Sequence, residues 1–91
     1  MIEANYNKVL NDVFDVVQPN VTPVAFSVFM AVWRKTVGFN KKSDRISLTQ
    51  LEKATGTTRP TVIKAMAELV TKELILEVTN KRGNTYSIQL N

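Results

Sequence analysis

The sequence predicts a mainly α-helical domain with a small β-hairpin, in the order helix, helix, short strand, helix, helix, hairpin. Three observations carry this expectation. Proline, glycine and hydroxyl residues cut the middle of the chain into short blocks with apolar residues at helical spacing. Two alternating β-type runs near the end flank the turn-rich Asn80-Lys81-Arg82-Gly83-Asn84. A hydrophobic fraction of 44% over 91 residues is enough for one core and too little chain for two, so residues 1–91 are expected to form a single domain.

The elements follow in order. Asn11 is placed to cap a short helix through Val17, with Val9, Val13, Phe14 and Val17 on its apolar side, and Gln18-Pro19-Asn20 breaks it. Thr22 suits the N-cap of a second helix and Pro23 its first turn, where a missing N–H costs nothing. Phe26, Met30, Trp33 and Val37 form its apolar stripe, which Ala25, Phe29 and Val32 widen. Gly38 is the expected stop, with Arg34 and Lys35 near the negative end of the helix dipole. A helix this apolar is either the central core helix or part of a subunit interface, which makes Phe26, Phe29 and Trp33 candidates for a dimer contact.

After a polar loop, Arg45 to Leu48 is short and extended. Thr49 and Glu52 stand at capping-box spacing for a third helix that Gly56 ends, with Leu51 and the small Ala54 at its crossing with the next helix. Thr58 caps that fourth helix, Arg59 and Pro60 lie in its first turn, and it runs to about Lys72 on a stripe of Val62, Met66, Leu69 and Val70 with Ala65 beside it. Residues 74–79 and 85–90 read as antiparallel strands, the second with Tyr86, Ile88 and Leu90 on one face, and Gly83-Asn84 is expected to make the turn between them. This order is the plan of a winged helix-turn-helix domain, in which the helices on either side of Gly56 form the DNA-reading pair and the hairpin is the wing.

Composition narrows the chemistry. With no Cys and no His, the chain lacks disulfides, thiol nucleophiles, zinc-thiolate sites and the usual general base. It carries no paired-carboxylate motif and no glycine-rich phosphate loop, so it is expected to be a binding module that needs no cofactor or metal, not an enzyme. The N-terminus has no signal-peptide pattern, and the most apolar run, Val24 to Trp33, is too short for a membrane, so the expected location is the cytoplasm of its host cell.

The net charge of +4 is uneven. Residues 1–33 hold one cation against three acids, a balance of −2, and residues 34–91 hold eleven against five, a balance of +6. The second part is therefore the expected meeting surface for double-stranded DNA. On the fourth helix Arg59, Thr61 and Lys64 point away from the core stripe, and Thr57 and Thr58 place hydroxyls and free N–H groups where a phosphate would lie. Lys81 and Arg82 give the wing a basic tip, and Lys41, Lys42 and Arg45 are further candidates for phosphate contact, with Asp44 placed to pair with Arg45 or Arg34. Ile63 lies at the edge of the core stripe, half-buried or against thymine methyls. Phe14, Phe26, Phe29 and Trp33 are expected in the core, which disfavours single-strand binding by exposed stacking.

The run from Trp33 to Leu51 contains Arg34-Lys35-Thr36, Gly38-Phe39-Asn40, Asp44-Arg45-Ile46, and Ser47 and Thr49 before Gln50-Leu51. In these motifs, and at Asn5-Tyr6, Lys8-Val9 and Asn11, the chain resembles the N-terminal domain of the lambda-type bacteriophage replication protein O family, over about residues 5 to 90. The resemblance implies a winged helix-turn-helix module that binds repeated sites in a replication origin, usually as a dimer, with a separate C-terminal region that recruits helicase-loading proteins. The chain ends one residue after the last expected wing strand. It is accordingly expected to be either an excised domain or a stand-alone protein that kept the binding module. A stand-alone module admits transcription control, or binding and inhibition of a host protein, beside origin binding. The resemblance carries over no DNA target sequence.

Overall fold

The computed structural model describes residues 11–89. Expectations for Asn5, Tyr6, Lys8, Val9 and Leu90 lie outside that range. A π-helical turn, Val13–Val17, and a 3₁₀ turn, Gln18–Asn20, lead into three helices: α1 Pro23–Lys35, α2 Leu48–Thr55 and α3 Arg59–Thr71. The strands are β1 Asp44–Arg45, β2 Ile75–Asn80 and β3 Gly83–Ile88. They form an antiparallel sheet of order β1-β3-β2, with Asp44 opposite Tyr86, Arg45 opposite Thr85, and β2 paired along its length with β3 from Ile75–Ile88 to Asn80–Gly83. The helix-turn-helix and its wing have the expected order.

α1 is the central element, packed against α2, α3 and β3. Thr22 caps it, its Oγ1 accepting from the Ala25 N–H at 3.3 Å, with Pro23 at the first position. Its buried residues are Ala25, Val28, Phe29, Val32 and Trp33, while Phe26 and Met30, expected at the centre of the stripe, are only partly buried. A helix apolar on most of its circumference has no unique stripe, so its neighbours choose the face. Asn11 is already helical and does not cap the first segment, whose Val13 and Val17 are buried as expected while Phe14 is half exposed.

Gly38 does not stop α1. The helix ends at Lys35, and Thr36 is buried with its hydroxyl donating to the Val32 carbonyl at 2.8 Å. A 3₁₀ turn, Val37–Phe39, follows, and the left-handed residue is Asn40 at φ 62°. Asn tolerates that conformation better than most side chains. The cap of α2 also differs from the expected Thr49–Glu52 box. Ser47 accepts from the Gln50 N–H at 3.1 Å and its own N–H donates to the Gln50 side chain at 2.8 Å, two residues earlier in the chain. Both pairs have the right spacing, and the short β1 strand places Ser47 first. Gly56 ends α2 as expected, at φ 68°, its N–H donating to the Glu52 carbonyl at 2.9 Å. Ala54 is exposed, so the helix crossing rests on Leu51, which is fully buried.

α3 buries Val62, Ala65, Met66 and Leu69, as its pattern predicts. Glu68 fastens it to the start of α1: its carboxylate accepts from the Thr22 N–H at 2.9 Å and the Thr22 hydroxyl at 3.0 Å, and Lys72 stands 3.4 Å away. The bond from the Thr22 backbone N–H is the main cause that holds the Glu68 carboxyl below its ordinary pKa, with the Lys72 charge adding to it. This clamp fixes the angle at which α3 crosses the domain.

Candidate nucleic-acid interface

α3 turns Arg59, Pro60, Ile63, Lys64 and Ala67 outward, opposite its buried stripe. Thr58 takes the extended N-cap conformation, but its hydroxyl meets that of Thr61 at 3.0 Å and caps no backbone N–H. Thr57 and Thr61 are partly buried. Lys64 projects from the middle of the outward face with no ion pair among the described residues. Ile63 is 50% exposed, half-buried at the edge of the core stripe as one sequence reading has it, with its other half facing outward.

Arg59 is engaged within the protein. Its Nε donates to Glu52 Oε2 at 3.3 Å and its Nη2 to Thr49 Oγ1 at 3.0 Å, so the guanidinium of the first α3 residue lies against the first turns of α2. Thr49 and Glu52, expected to cap α2, instead hold this arginine. No helical spacing links Glu52 to Arg59 across the Gly56 turn; the only signal in the chain is opposite charge on the two sides of a tight turn.

The wing turn is tighter than expected. Asn80 pairs with Gly83, so Lys81-Arg82 alone form a two-residue loop, with Gly83 at φ 126° and Asn80 Oδ1 accepting from the Arg82 N–H at 3.0 Å. Asn84 belongs to β3 and not to the turn. Lys81 and Arg82 are exposed at the tip. The Arg45 side chain runs beside the turn, its Cδ 3.5 Å from where a Cβ on Gly83 would stand. Arg45 and Arg82 line one cleft of about 330 Å³, together with the capping residues Ser47 and Gln50 at the entry to α2. The structure thus joins two arginines that lie far apart in sequence.

Lys41 and Lys42 are not part of that cleft. Lys41 pairs with Asp44 at 3.6 Å, so Asp44 takes neither Arg45 nor Arg34 as its partner. Asp44 stands opposite Tyr86, one register step further from the turn than Arg45, and Lys41-Lys42 precede it. The Lys41 N–H donates to the Thr36 carbonyl at 2.7 Å, folding this loop back onto the end of α1.

Between wing and α3, Asn84 donates to Glu77 Oε2 at 3.1 Å and to the Tyr86 hydroxyl at 3.3 Å. Tyr86 is buried, and desolvation raises its pKa, which keeps it protonated. This network ties the base of the hairpin together beneath its basic tip. Sequence reasoning did not find it, since Glu77 and Asn84 meet only through the strand register.

The residues expected at a dimer contact lie elsewhere. Phe29 is fully buried and Trp33 is 4% exposed, both within the domain's own core, where their rings pack 6.3 Å apart. Phe26 is partly buried and tilted against Phe14 at 6.2 Å. α1 turns Phe29 and Trp33 inward because α2 and α3 cover that face, while Phe26 stays partly exposed. Among the described residues, no group of three or more His, Cys, Asp or Glu could hold a metal ion, and no helix is long and apolar enough to cross a membrane.

Comparison with known proteins agrees with this geometry. The family model for bacteriophage replication protein O matches residues 2–89. The chain belongs to the bacteriophage replication protein O family. The DNA replication protein gp18 of Salmonella phage P22 is 30% identical over 88 residues. That alignment covers 96% of this chain and 32% of the phage P22 protein, so the chain spans about a third of the length of this relative. Among solved structures, the adhesin competence repressor AdcR of Streptococcus pyogenes superposes with a TM-score of 0.53 at 14% identity, covering 93% of this chain and 60% of that one. At that identity the likeness is one of fold, and it is a winged-helix fold.

Proposed function

We propose that this replication protein O domain binds double-stranded DNA through α3 and the wing, and that it does so at repeated sites of a phage replication origin. The observation that carries the reading is the Arg45–Arg82 cleft, which shares Leu48, Asn84 and Tyr86 with a second cleft that Ile63 and Ala67 of the outward α3 face border. One face inserts into a major groove while a basic wing meets the flanking phosphates. Lys64 is the base-reading donor, Lys81, Arg82 and Arg45 neutralise phosphates, and the free N–H groups at Thr58 and Arg59 suit a further phosphate at the helix N-terminus. Arg59 acts as a positioning residue that sets the angle between α2 and α3. Membership in a phage replication family supports the origin as the site of action.

A second reading, binding of a host protein through the apolar helix, has less support, because α1 spends Ala25, Val28, Phe29, Val32 and Trp33 on the core.

The test is a titration of labelled duplexes, chosen from a random pool, over a range of salt concentrations. Lys81→Ala with Arg82→Ala should flatten the slope of log affinity against log salt by about 1.8, the value for two released phosphate contacts. Absence of binding at low salt, or binding with no preference among duplexes, overturns the proposal. An unchanged slope in the wing variant removes the wing from the interface.

A further inference from the structure

We infer that the outward face of α3 recognises thymine through its 5-methyl group, and that Ile63 is the residue that discriminates it; this rests on the duplex binding proposed above. The argument begins with what stands on that face. Opposite the buried Val62, Ala65, Met66 and Leu69 lie Pro60, Ile63, Lys64 and Ala67. Three of these four are apolar. Pro60 has no N–H to donate. Ala67 and Ile63 have no polar atom in their side chains. Lys64 is the sole side-chain donor among the four.

The side chain best shaped for a two-point bond to guanine would be Arg59, one turn earlier. Its Nε and Nη2 are held by Glu52 and Thr49 at 3.3 and 3.0 Å. Two of its donor directions therefore point into the protein and away from a base edge.

Ile63 is the least expected residue on this face. A β-branched side chain lowers helix propensity, and one that is 50% exposed recovers little of that cost by burial. Its surroundings extend the apolar surface. Ile63, Ala67, Leu48 and Met66 form the helical side of one cleft of about 220 Å³ where α3 meets the wing, and Glu77, Asn84 and Tyr86 form its wing side. A groove edge pressed against the α3 side of this cleft would meet the carbon of Ile63 and Ala67, while Asn84 occupies Glu77 and Tyr86 on the wing side. In the major groove only thymine presents a methyl group, and apolar contact is how a protein distinguishes it from cytosine. The surrounding cations, Lys64 on the helix and Arg82 at the wing, match a polyanion and hold the apolar strip against the groove floor.

The inference predicts targets with thymines at the positions under α3. The experiment uses duplexes recovered from a random pool by the full 91-residue chain, resynthesised with deoxyuridine in place of individual thymidines. Removing one contacted methyl should weaken binding about fourfold, the value of about 0.8 kcal/mol for one buried methyl-sized group. In the Ile63→Ala variant the loss at that position should shrink to below about twofold, whereas Lys64→Ala should lower affinity for thymidine and deoxyuridine duplexes alike and leave their ratio unchanged. Melting curves of both variants should match the parent, as both side chains are exposed. The inference is overturned if deoxyuridine duplexes bind as tightly as the parent sequence, or if Ile63→Ala keeps the full discrimination. A failure to recover any duplex overturns the DNA-binding proposal with it, so the two failures are distinguishable.

Discussion

Replacing Arg59 by alanine separates a strut from a DNA contact. The guanidinium makes one ion pair with Glu52 at 3.3 Å and one hydrogen bond to Thr49 at 3.0 Å, with side chains 53% and 29% exposed in the pair. At that exposure the ion pair contributes about 0.2–1 kcal/mol. The bond to a hydroxyl belongs near the lower end of the about 0.5–1.5 kcal/mol typical of a net hydrogen bond. Arg59→Ala should therefore lower stability by about 1 kcal/mol, or about 4–8 °C in melting temperature for a domain of this size. Urea denaturation of Arg59→Ala, Glu52→Ala and the double variant should yield a coupling energy of about 0.5–1 kcal/mol between the two positions. The salt slope of duplex binding should change by less than half of the about 0.9 expected when one phosphate contact is lost. A slope reduced by the full contact, with stability and coupling at zero, would show that the guanidinium leaves Glu52 for the phosphate backbone and would refute the strut.

Three further outcomes follow from the fold. Glu68→Gln should destabilise at neutral pH by about 1–2 kcal/mol, since the amide oxygen can replace only part of a carboxylate that accepts two bonds from Thr22. Because the folded-state pKa of Glu68 is lowered, its contribution is present above the ordinary carboxylate range and is lost as the pH falls through the folded value. Stability measured from neutral to acid pH should thus converge for the parent and Glu68→Gln, and a constant gap would count against the clamp. Gly56→Ala should cost about 1–2 kcal/mol from the left-handed backbone alone, as nothing lies within 4 Å of the added carbon, and Gly56→Asn should recover part of it in a thermal melt. Phe29→Ala should lower stability by about 3–5 kcal/mol at every protein concentration tested by urea denaturation, as befits a core residue. A concentration-dependent loss would return this side chain to a subunit contact.

Much of the fold was legible because its signals are local. Thr22-Pro23 and Gly56 mark helix ends through bonds and torsions within a few residues, and each acts where expected; Thr58 takes the N-cap torsions before Pro60 but makes no capping bond. The stripe of α3 was legible because polar residues border it. The stop of α1 was not, since Gly38 and Asn40 both suit a turn and the backbone path to β1 selects Asn40. The cap of α2 was legible in kind but not in place, since two overlapping pairs had the same spacing.

The candidate interface divides in the same way. The exposure of Lys64 and of the basic tip at Lys81 and Arg82 was legible, because exposure of charge on a helix face or turn tip follows from solvation alone. The partners of Arg59 and Asp44 and the meeting of Arg45 with Arg82 were not.

The sequence by itself determined the order of elements, three helix boundaries, the core face of α3 and the sign of the charge on the wing. Each follows from torsional preference or periodicity within one segment. Tertiary structure alone decided which face of α1 enters the core, that Phe29 and Trp33 are buried in the domain itself, and that Glu52 holds Arg59 while Ile63 faces outward. These depend on which segments meet. A helix apolar on most of its circumference, or an arginine within reach of both a carboxylate and a groove, has several acceptable arrangements until its neighbours are in place.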